Sequence, residues 1–193
     1  MTSSASCPEM TDHAGRSGFA HFYFWFIVII TVVSDLAGKW WAFRFLKVGE
    51  EISIIPNILN FSPTQNFGAV FGLAPGKWWL LIGASVFAIY FILQLFWQSR
   101  KSQRVFHIFL ALVLGGALGN LYDRILYGNV RDFIHIAVKI TDNKYLWPWV
   151  FNIADIALVV GVAGLLLGWF LGKFDIGTSC PVARPASSSS EKV

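Results

Sequence analysis

Charge is what this chain has least of. Only 13% of its 193 residues are Asp, Glu, Lys or Arg, while 55% are hydrophobic and the mean hydropathy is +0.58. A soluble domain carries a charged fraction of about 25%. The polar surface is therefore too small to coat a water-facing globule, and the sequence reads as an integral membrane protein of one compact domain. The formal net charge is +4, with no basic run interleaved with aromatics. Nucleic acid is not an expected partner, because such a bias in a membrane protein sets topology or meets anionic lipid. Cysteine is nearly absent: Cys7 and Cys180 both lie in polar tails. They build no disulfide framework and no zinc pair. No apolar run precedes Cys7, so SASC is not read as a lipidation site. There is no HExxH and no GxSxG, which removes the zincin and nucleophile-elbow chemistries. Ser34 and Ser85 have no Lys or His general base on the same helix face. No metal and no cofactor are expected.

What is present is a series of apolar runs. A polar tail, 1–18, is expected to be disordered. A first span follows from about His21 to Phe43, uncharged from Phe22 to Ser34, with Asp35 and Lys39 near its far end and Trp40 and Trp41 as an interfacial belt. A long loop from Arg44 to Lys77 contains EISII (Glu51–Ile55) and ILNF (Ile58–Phe61), two short strands broken at Pro56 and Asn57. A second span runs from Trp78 to Trp97, then a basic turn with Arg100, Lys101 and Arg104. A third span runs from Val105 to about Tyr122, a polar segment to about Tyr145, and a fourth span from about Trp147 to Leu171. Residues 173–193 are expected to be a disordered tail, leaving 19–172 as the membrane domain. Four spans put both termini on one side with the basic turn. The density of Lys and Arg there, and the length of the other two loops, favour cytoplasmic termini and outward-facing long loops.

The polar residues within and beside the spans are spaced by helix geometry. Asp35 and Lys39, four apart, share a face and can pair. Asn120, Asp123 and Arg124 fall on one face, and Asn152 precedes Asp155 by three. These spacings imply a polar cluster between the third and fourth helices. Gly115, Gly116 and Gly119, and Gly161, Gly164, Gly168 and Gly172, read as flat packing surfaces. His21, His107 and His135 read as structural. Carboxylates inside apolar spans are costly and mark function by default. Asp132 and Asp155 flank the polar cluster from either side; Asp123 is not excluded by spacing. Two carboxylates held together share one proton and act as acid and base. A proton-coupled transporter and a structural scaffold are the competing readings, although no internal repeat is visible and the cluster sits near one boundary rather than at mid-membrane.

The motifs DLAGK (Asp35–Lys39), NFGAVFG (Asn66–Gly72), GGALGNLYDR (Gly115–Arg124), VRDF (Val130–Phe133) and FNIAD (Phe151–Asp155), in this order, resemble those of the prolipoprotein signal peptidases, the type II signal peptidases. The resemblance covers roughly Asp35 to Asp155. It implies an all-α integral membrane fold, four transmembrane helices with a small β-sheet element from the first extracytoplasmic loop. It implies an aspartyl endopeptidase that cuts diacylglyceryl-modified prolipoproteins just before the lipidated cysteine. The catalytic pair would be Asp132 and Asp155, supported by Asp35, Lys39, Asn66, Gly116, Asn120, Arg124 and Asn152. Arg124 would meet a lipid headgroup or substrate carbonyls, or brace Asp123. The resemblance further implies a monomer in the bacterial inner membrane, in contact with membrane lipid, with its site near the outer leaflet. Val70 stands where the family typically has Ala, and the segment between Asp132 and Asp155 is a few residues longer than usual.

Overall fold

A computed structural model describes residues 14–68, 78–99, 103–141 and 144–174. Four helices are long and apolar enough to cross a membrane: α1 (Ala14–Phe45), α2 (Trp78–Gln98), α3 (Arg104–Tyr127) and α4 (Ile153–Phe170). α1 begins inside the segment expected as a tail, and its first residues are helical. Residues 1–13 and 175–193, the rest of both expected tails, lie outside the described residues, as do Ala69–Gly72 of the NFGAVFG motif.

α3 is the central helix and the most buried of the four. The reason is legible in its side chains: small residues replace bulky ones wherever a neighbour must approach. A Cβ on Gly115 would lie 2.6 Å from Thr31 Cβ on α1, and one on Gly119 would lie 2.6 Å from Asp35 Oδ2. A Cβ on Gly116 would meet the Ala154 carbonyl oxygen at 2.5 Å and Leu158 Cγ at 2.8 Å. The three glycines therefore do not form one flat surface. Gly115 and Gly119 admit α1, while Gly116 admits α4. Gly161 on α4 answers by admitting Val113 and the Phe109 carbonyl of α3. Toward the other end, Phe24, Phe96, Phe106 and Leu110 form the apolar core, with the Phe24 and Phe96 rings stacked at 3.8 Å. Ser34 and Ser85 donate to helix carbonyls at Ile30 and Leu81, 2.7 and 2.8 Å away, which occupies both hydroxyls locally.

Gly116 yields a direct prediction. In Gly116→Ala the added methyl would strike backbone, so α3 and α4 must separate. Overpacking of this kind costs about 1–3 kcal/mol, and the thermal midpoint in detergent is expected to fall. An unchanged midpoint would contradict the close approach of the two helices.

One end of the bundle carries a four-stranded antiparallel sheet, in the order β1 (Ile52–Ile55), β2 (Leu59–Asn66), β3 (Val130–Ile136) and β6 (Val150–Phe151). β1 and β2 form the hairpin expected around Pro56 and Asn57. Ile58 N donates to Ile55 O at 3.0 Å, and Asn57 adopts φ 60°, the conformation that the third position of a type II turn requires. Glu51 accepts from Asn60 Nδ2 at 2.6 Å and from His135 at 2.9 Å, which stitches three strands and holds its carboxyl below the ordinary value.

Half of this sheet was not anticipated. β3 (Val130–Ile136) and β6 (Val150–Phe151) come from the second loop, so the sheet joins both loops rather than belonging to the first. β6 pairs with β3 through Ile134↔Phe151 and His135↔Val150. That pairing, with Pro148 before it, takes Trp147–Phe151 out of the fourth helix, which starts at Ile153 rather than near Trp147. A separate hairpin, β4 (Lys139–Thr141) with β5 (Lys144–Tyr145), lies between β3 and β6 in the chain.

Candidate active site

Two carboxylates meet where the sheet joins the helices. Asp132 arrives on β3. Its backbone pairs opposite Thr64 of β2, and Val130 pairs opposite Asn66. On an antiparallel ladder this makes Asn66 and Asp132 diagonal neighbours on one face, and Asn66 Nδ2 donates to Asp132 Oδ2 at 3.0 Å. The Asn66 side-chain oxygen accepts from Gly68 N at 3.0 Å, fixing which way the amide points.

Asp155 arrives on the first turn of α4. Asn152 is the N-cap: its side-chain oxygen accepts from Asp155 N at 2.9 Å, while Asp155 Oδ2 accepts from Asn152 N at 3.3 Å. This reciprocal capping box satisfies two backbone donors that a helix start leaves open. The FNIAD motif is thus a helix-start signal, and the cap fixes the orientation of the Asp155 carboxyl.

The two asparagines tie the two aspartates together. Asn152 Nδ2 donates to Asp132 Oδ1 at 2.6 Å and lies 3.1 Å from Asn120 Oδ1. Asn120 Nδ2 in turn donates to Asp155 Oδ1 at 2.8 Å. Asn120 stands on α3, one turn beyond Gly116, so the approach that Gly116 permits is what brings Asn120 to α4. Burial pushes the Asp132 carboxyl up from its ordinary 3.8 to about 7, and the Asp155 carboxylate pushes it further in the same direction. The hydrogen bonds from Asn66 and Asn152 act the other way. A carboxyl of that kind holds its proton near neutrality, as general acid chemistry needs.

Behind this pair lies a fully buried charge cluster. Lys39 Nζ is 2.7 Å from Asp35 Oδ2, 3.2 Å from Asp123 Oδ2 and 3.0 Å from Asn120 Oδ1, onto which it donates. Asp35 Oδ1 accepts from Ala154 N at 2.9 Å, holding the first turn of α4 against α1. The Asp35–Lys39 pair expected from i, i+4 spacing is therefore present, and it continues into the site through Asn120.

Asp123 is removed from the candidate reactive groups by its partners. Arg131 donates to Asp123 Oδ1 from Nη2 at 2.8 Å and from Nε at 3.2 Å, and the Arg131 backbone N–H donates to Oδ2 at 3.0 Å. The chain reverses between them at Gly128, whose φ of 70° ends α3 in the left-handed conformation. Sequence reasoning missed Arg131 because its partner sits across a turn, eight residues away, and not at helical spacing. Arg124, offered as a brace for Asp123, does not take that role. It lies in the field of Asp155, Asp132 and Asp123, and its buried Nε has no hydrogen-bond partner among the described residues. His107 contacts Ser99 at 2.7 Å near the far end of α3, and His135 contacts Glu51, both as structural groups. Among the described residues no group of three His, Cys, Asp or Glu side chains converges as a metal site.

The comparisons agree with this architecture. A bacterial membrane enzyme solved by the in meso method at 2.3 Å matches with TM-score 0.71 over 89% of this chain and 94% of that one, at 24% identity, a likeness of fold. A second, at 1.9 Å, matches with TM-score 0.67 and 28% identity over 77% of this chain and 92% of that one. The lipoprotein signal peptidase of Clostridium novyi is 41% identical over 75% of this chain and 94% of its own length. Those of Anoxybacillus flavithermus and Geobacillus kaustophilus are 36% and 37% identical over 72% and 77% of this chain. The family described as signal peptidase (SPase) II matches residues 27–171, from within α1 to the end of α4, and so takes in every residue of the site above. A match that spans the whole bundle and the sheet it carries makes this chain a member of the signal peptidase II family, a family of membrane peptidases.

Proposed function

We propose that the chain is a lipoprotein signal peptidase that cuts diacylglyceryl-modified prolipoproteins just before the lipidated cysteine, with Asp132 and Asp155 as its catalytic pair. The observation that carries the reading is the continuous amide bridge Asp132–Asn152–Asn120–Asp155, which holds the buried Asp132 carboxyl and the half-buried Asp155 carboxyl in fixed orientation. Like charges this close do not both ionise cheaply, so the pair keeps one proton at neutral pH. The ionised member takes a proton from water, whose oxygen bonds to the scissile carbonyl carbon. The protonated member donates to the carbonyl oxygen. Collapse of the resulting diol breaks the C–N bond, and the proton passes to the leaving amine. The two apparent pKa values belong to the pair, so neither role is fixed to one residue.

Asn66, Asn120 and Asn152 orient the carboxyls, and Asp35 and Lys39 hold Asn120 and the start of α4. Gly116 lets α3 and α4 close. Arg124, charged and facing the pair, meets the substrate's carbonyls or its lipid headgroup. The enzyme works as a monomer in the bacterial inner membrane. Its termini face the cytoplasm and its sheet end lies at the outer leaflet, where a lipid-anchored substrate presents its peptide. The apolar flanks of the helices receive the acyl chains.

The test is product identity. Incubation with a diacylglyceryl-modified prolipoprotein is expected to release a signal peptide ending one residue before the cysteine, read by mass spectrometry. The unmodified precursor is expected to stay intact. Cleavage at another bond, or equal cleavage of both precursors, would overturn the assignment.

The reaction should also depend on pH in a stated direction. With the Asp132 carboxyl at about 7, the required proton is present below that value and lost above it. The cleavage rate is expected to fall as pH rises through about 7. The folded state holds this proton more tightly than the unfolded chain, so the stability that Asp132 contributes is full below about 4 and is lost as pH rises from there to about 7. A rate that climbs steadily to pH 9 would contradict this.

A further inference from the structure

The hairpin β4–β5 is a separate two-stranded sheet that touches the main one where Tyr145 meets the His135 ring at 4.7 Å, and it takes no part in the amide bridge. Large apolar side chains are exposed on it and on the residues after it, among polar ones. Ile140 and Leu146 are 59% and 57% exposed, and Trp147 and Trp149 remain partly exposed with their rings edge to face at 5.2 Å. Such a patch on a water-facing loop marks a contact surface.

The length of α4 says what covers it. Its 18 residues span ~27 Å at ~1.5 Å per residue, against a hydrocarbon core of ~30 Å. Its outward face is apolar to both ends, from Ile156 to Phe170. The hydrocarbon boundary therefore falls at or just before Ile153, and Trp147 and Trp149 stand within six residues of it in the chain. Trp and Lys are the residue types that this boundary takes. Lys139 opens β4, and its Nζ sits 5.7 Å over the Tyr145 ring.

We propose that residues 139–141 and 145–149 form an interfacial foot, seated in the headgroup and upper acyl region of the outer leaflet, whose occupant is bilayer lipid. Because β6 follows the foot directly and pairs with β3 beside Asp132, seating the foot sets the depth at which the aspartate pair meets the scissile bond. This rests on the reading that α4 spans the membrane with its sheet end at the outer leaflet.

The test uses a chain with Cys7→Ser and Cys180→Ser and single cysteines introduced as Ile140→Cys or Leu146→Cys. Each is labelled with an environment-sensitive fluorophore and reconstituted in vesicles containing phosphatidylglycerol. Val159→Cys, on the outward face of α4, reports the span, and Lys47→Cys, 88% exposed in its side chain, reports water. Lipids brominated on upper acyl carbons are expected to quench labels at 140 and 146, while iodide quenches the 47 label alone. Iodide quenching at 140 and 146 equal to that at 47, with Val159→Cys still quenched by bromolipid, overturns the foot and leaves the span intact. Absence of bromolipid quenching at 159 overturns the underlying topology and the foot with it. Protection at 140 and 146 that appears only at high protein-to-lipid ratio identifies a second copy as the occupant and overturns lipid. In cleavage assays, Trp147→Ser with Trp149→Ser is expected to raise KM severalfold in vesicles with little change in detergent, and the paired Tyr substitutions are expected to retain wild-type KM. An unchanged vesicle KM in the serine variant overturns the depth-setting role.

Discussion

Asp132→Asn is expected to lower kcat by about 10²–10⁴-fold, the range that a positioned acid or base contributes, and Asp155→Asn by as much. The substitution is nearly isosteric. It keeps an oxygen for the Asn152 amide to meet at Asp132 and for the Asn120 amide to meet at Asp155. The fold should therefore survive, and the loss should fall on the chemical step. On the proposed shared-proton mechanism, the double variant should be little worse than either single one. Thermal unfolding in detergent, run beside the cleavage assay, separates loss of chemistry from loss of structure. Cleavage near the wild-type rate by either folded variant would remove that residue from the catalytic pair. Asp123→Asn should act differently, since Asp123 is tied to Arg131 and Lys39; it should destabilise rather than stop a folded enzyme.

The largest loss of stability is expected from Lys39→Met. Lys39 is fully buried between Asp35 and Asp123, both fully buried themselves. Asp35 Oδ2 has no hydrogen-bond partner apart from its ion pair with Lys39. Removing one partner of a buried pair leaves an uncompensated charge and costs about 3–5 kcal/mol. For a chain of this size that is a fall in Tm on the order of 10 °C. Asp123 keeps Arg131, so the orphan is Asp35. The double variant Lys39→Met with Asp35→Asn should recover part of the loss, because the asparagine still accepts from Ala154 N–H without a charge. Activity should not recover with it, since Asn120 has lost the ammonium that fixes its oxygen. A Lys39→Met protein as stable as wild type would contradict the buried cluster.

The four spans and the helical spacings within the polar cluster were legible because each leaves a one-dimensional trace. Apolar length marks a membrane helix, and Asp35 with Lys39 or Asn152 with Asp155 fall at helical spacings. Pro56-Asn57 marked the first hairpin correctly. What did not show was pairing across sequence distance. Val130–Ile136 reads as a polar segment until β2 lies beside it, and Trp147–Phe151 is as apolar as a helix start. Only the register with Ile134 and His135 makes it a strand. The glycines of α3 face two helices because neighbours one position apart point to different sides, which spacing alone did not resolve for an unknown arrangement of partners. Arg131 was invisible for a similar reason: its bond to Asp123 runs across the Gly128 turn. The amide bridge could be named residue by residue through the resemblance, but its order, with Asn152 reaching Asp132 and Asn120 reaching Asp155, needed coordinates.

The central claim is that Asp132 and Asp155 share one proton near neutral pH. Infrared difference spectroscopy of the detergent-solubilised protein, titrated from pH 5 to 9, reads the protonated carboxyl stretch directly. The wild type is expected to lose one such band with a midpoint of about 7. Asp132→Asn and Asp155→Asn should each abolish that transition or move it to lower pH, because each removes the charged neighbour of the carboxyl that remains. A band that titrates at the same midpoint in either variant, or the absence of any such band in the wild type, would contradict the shared proton.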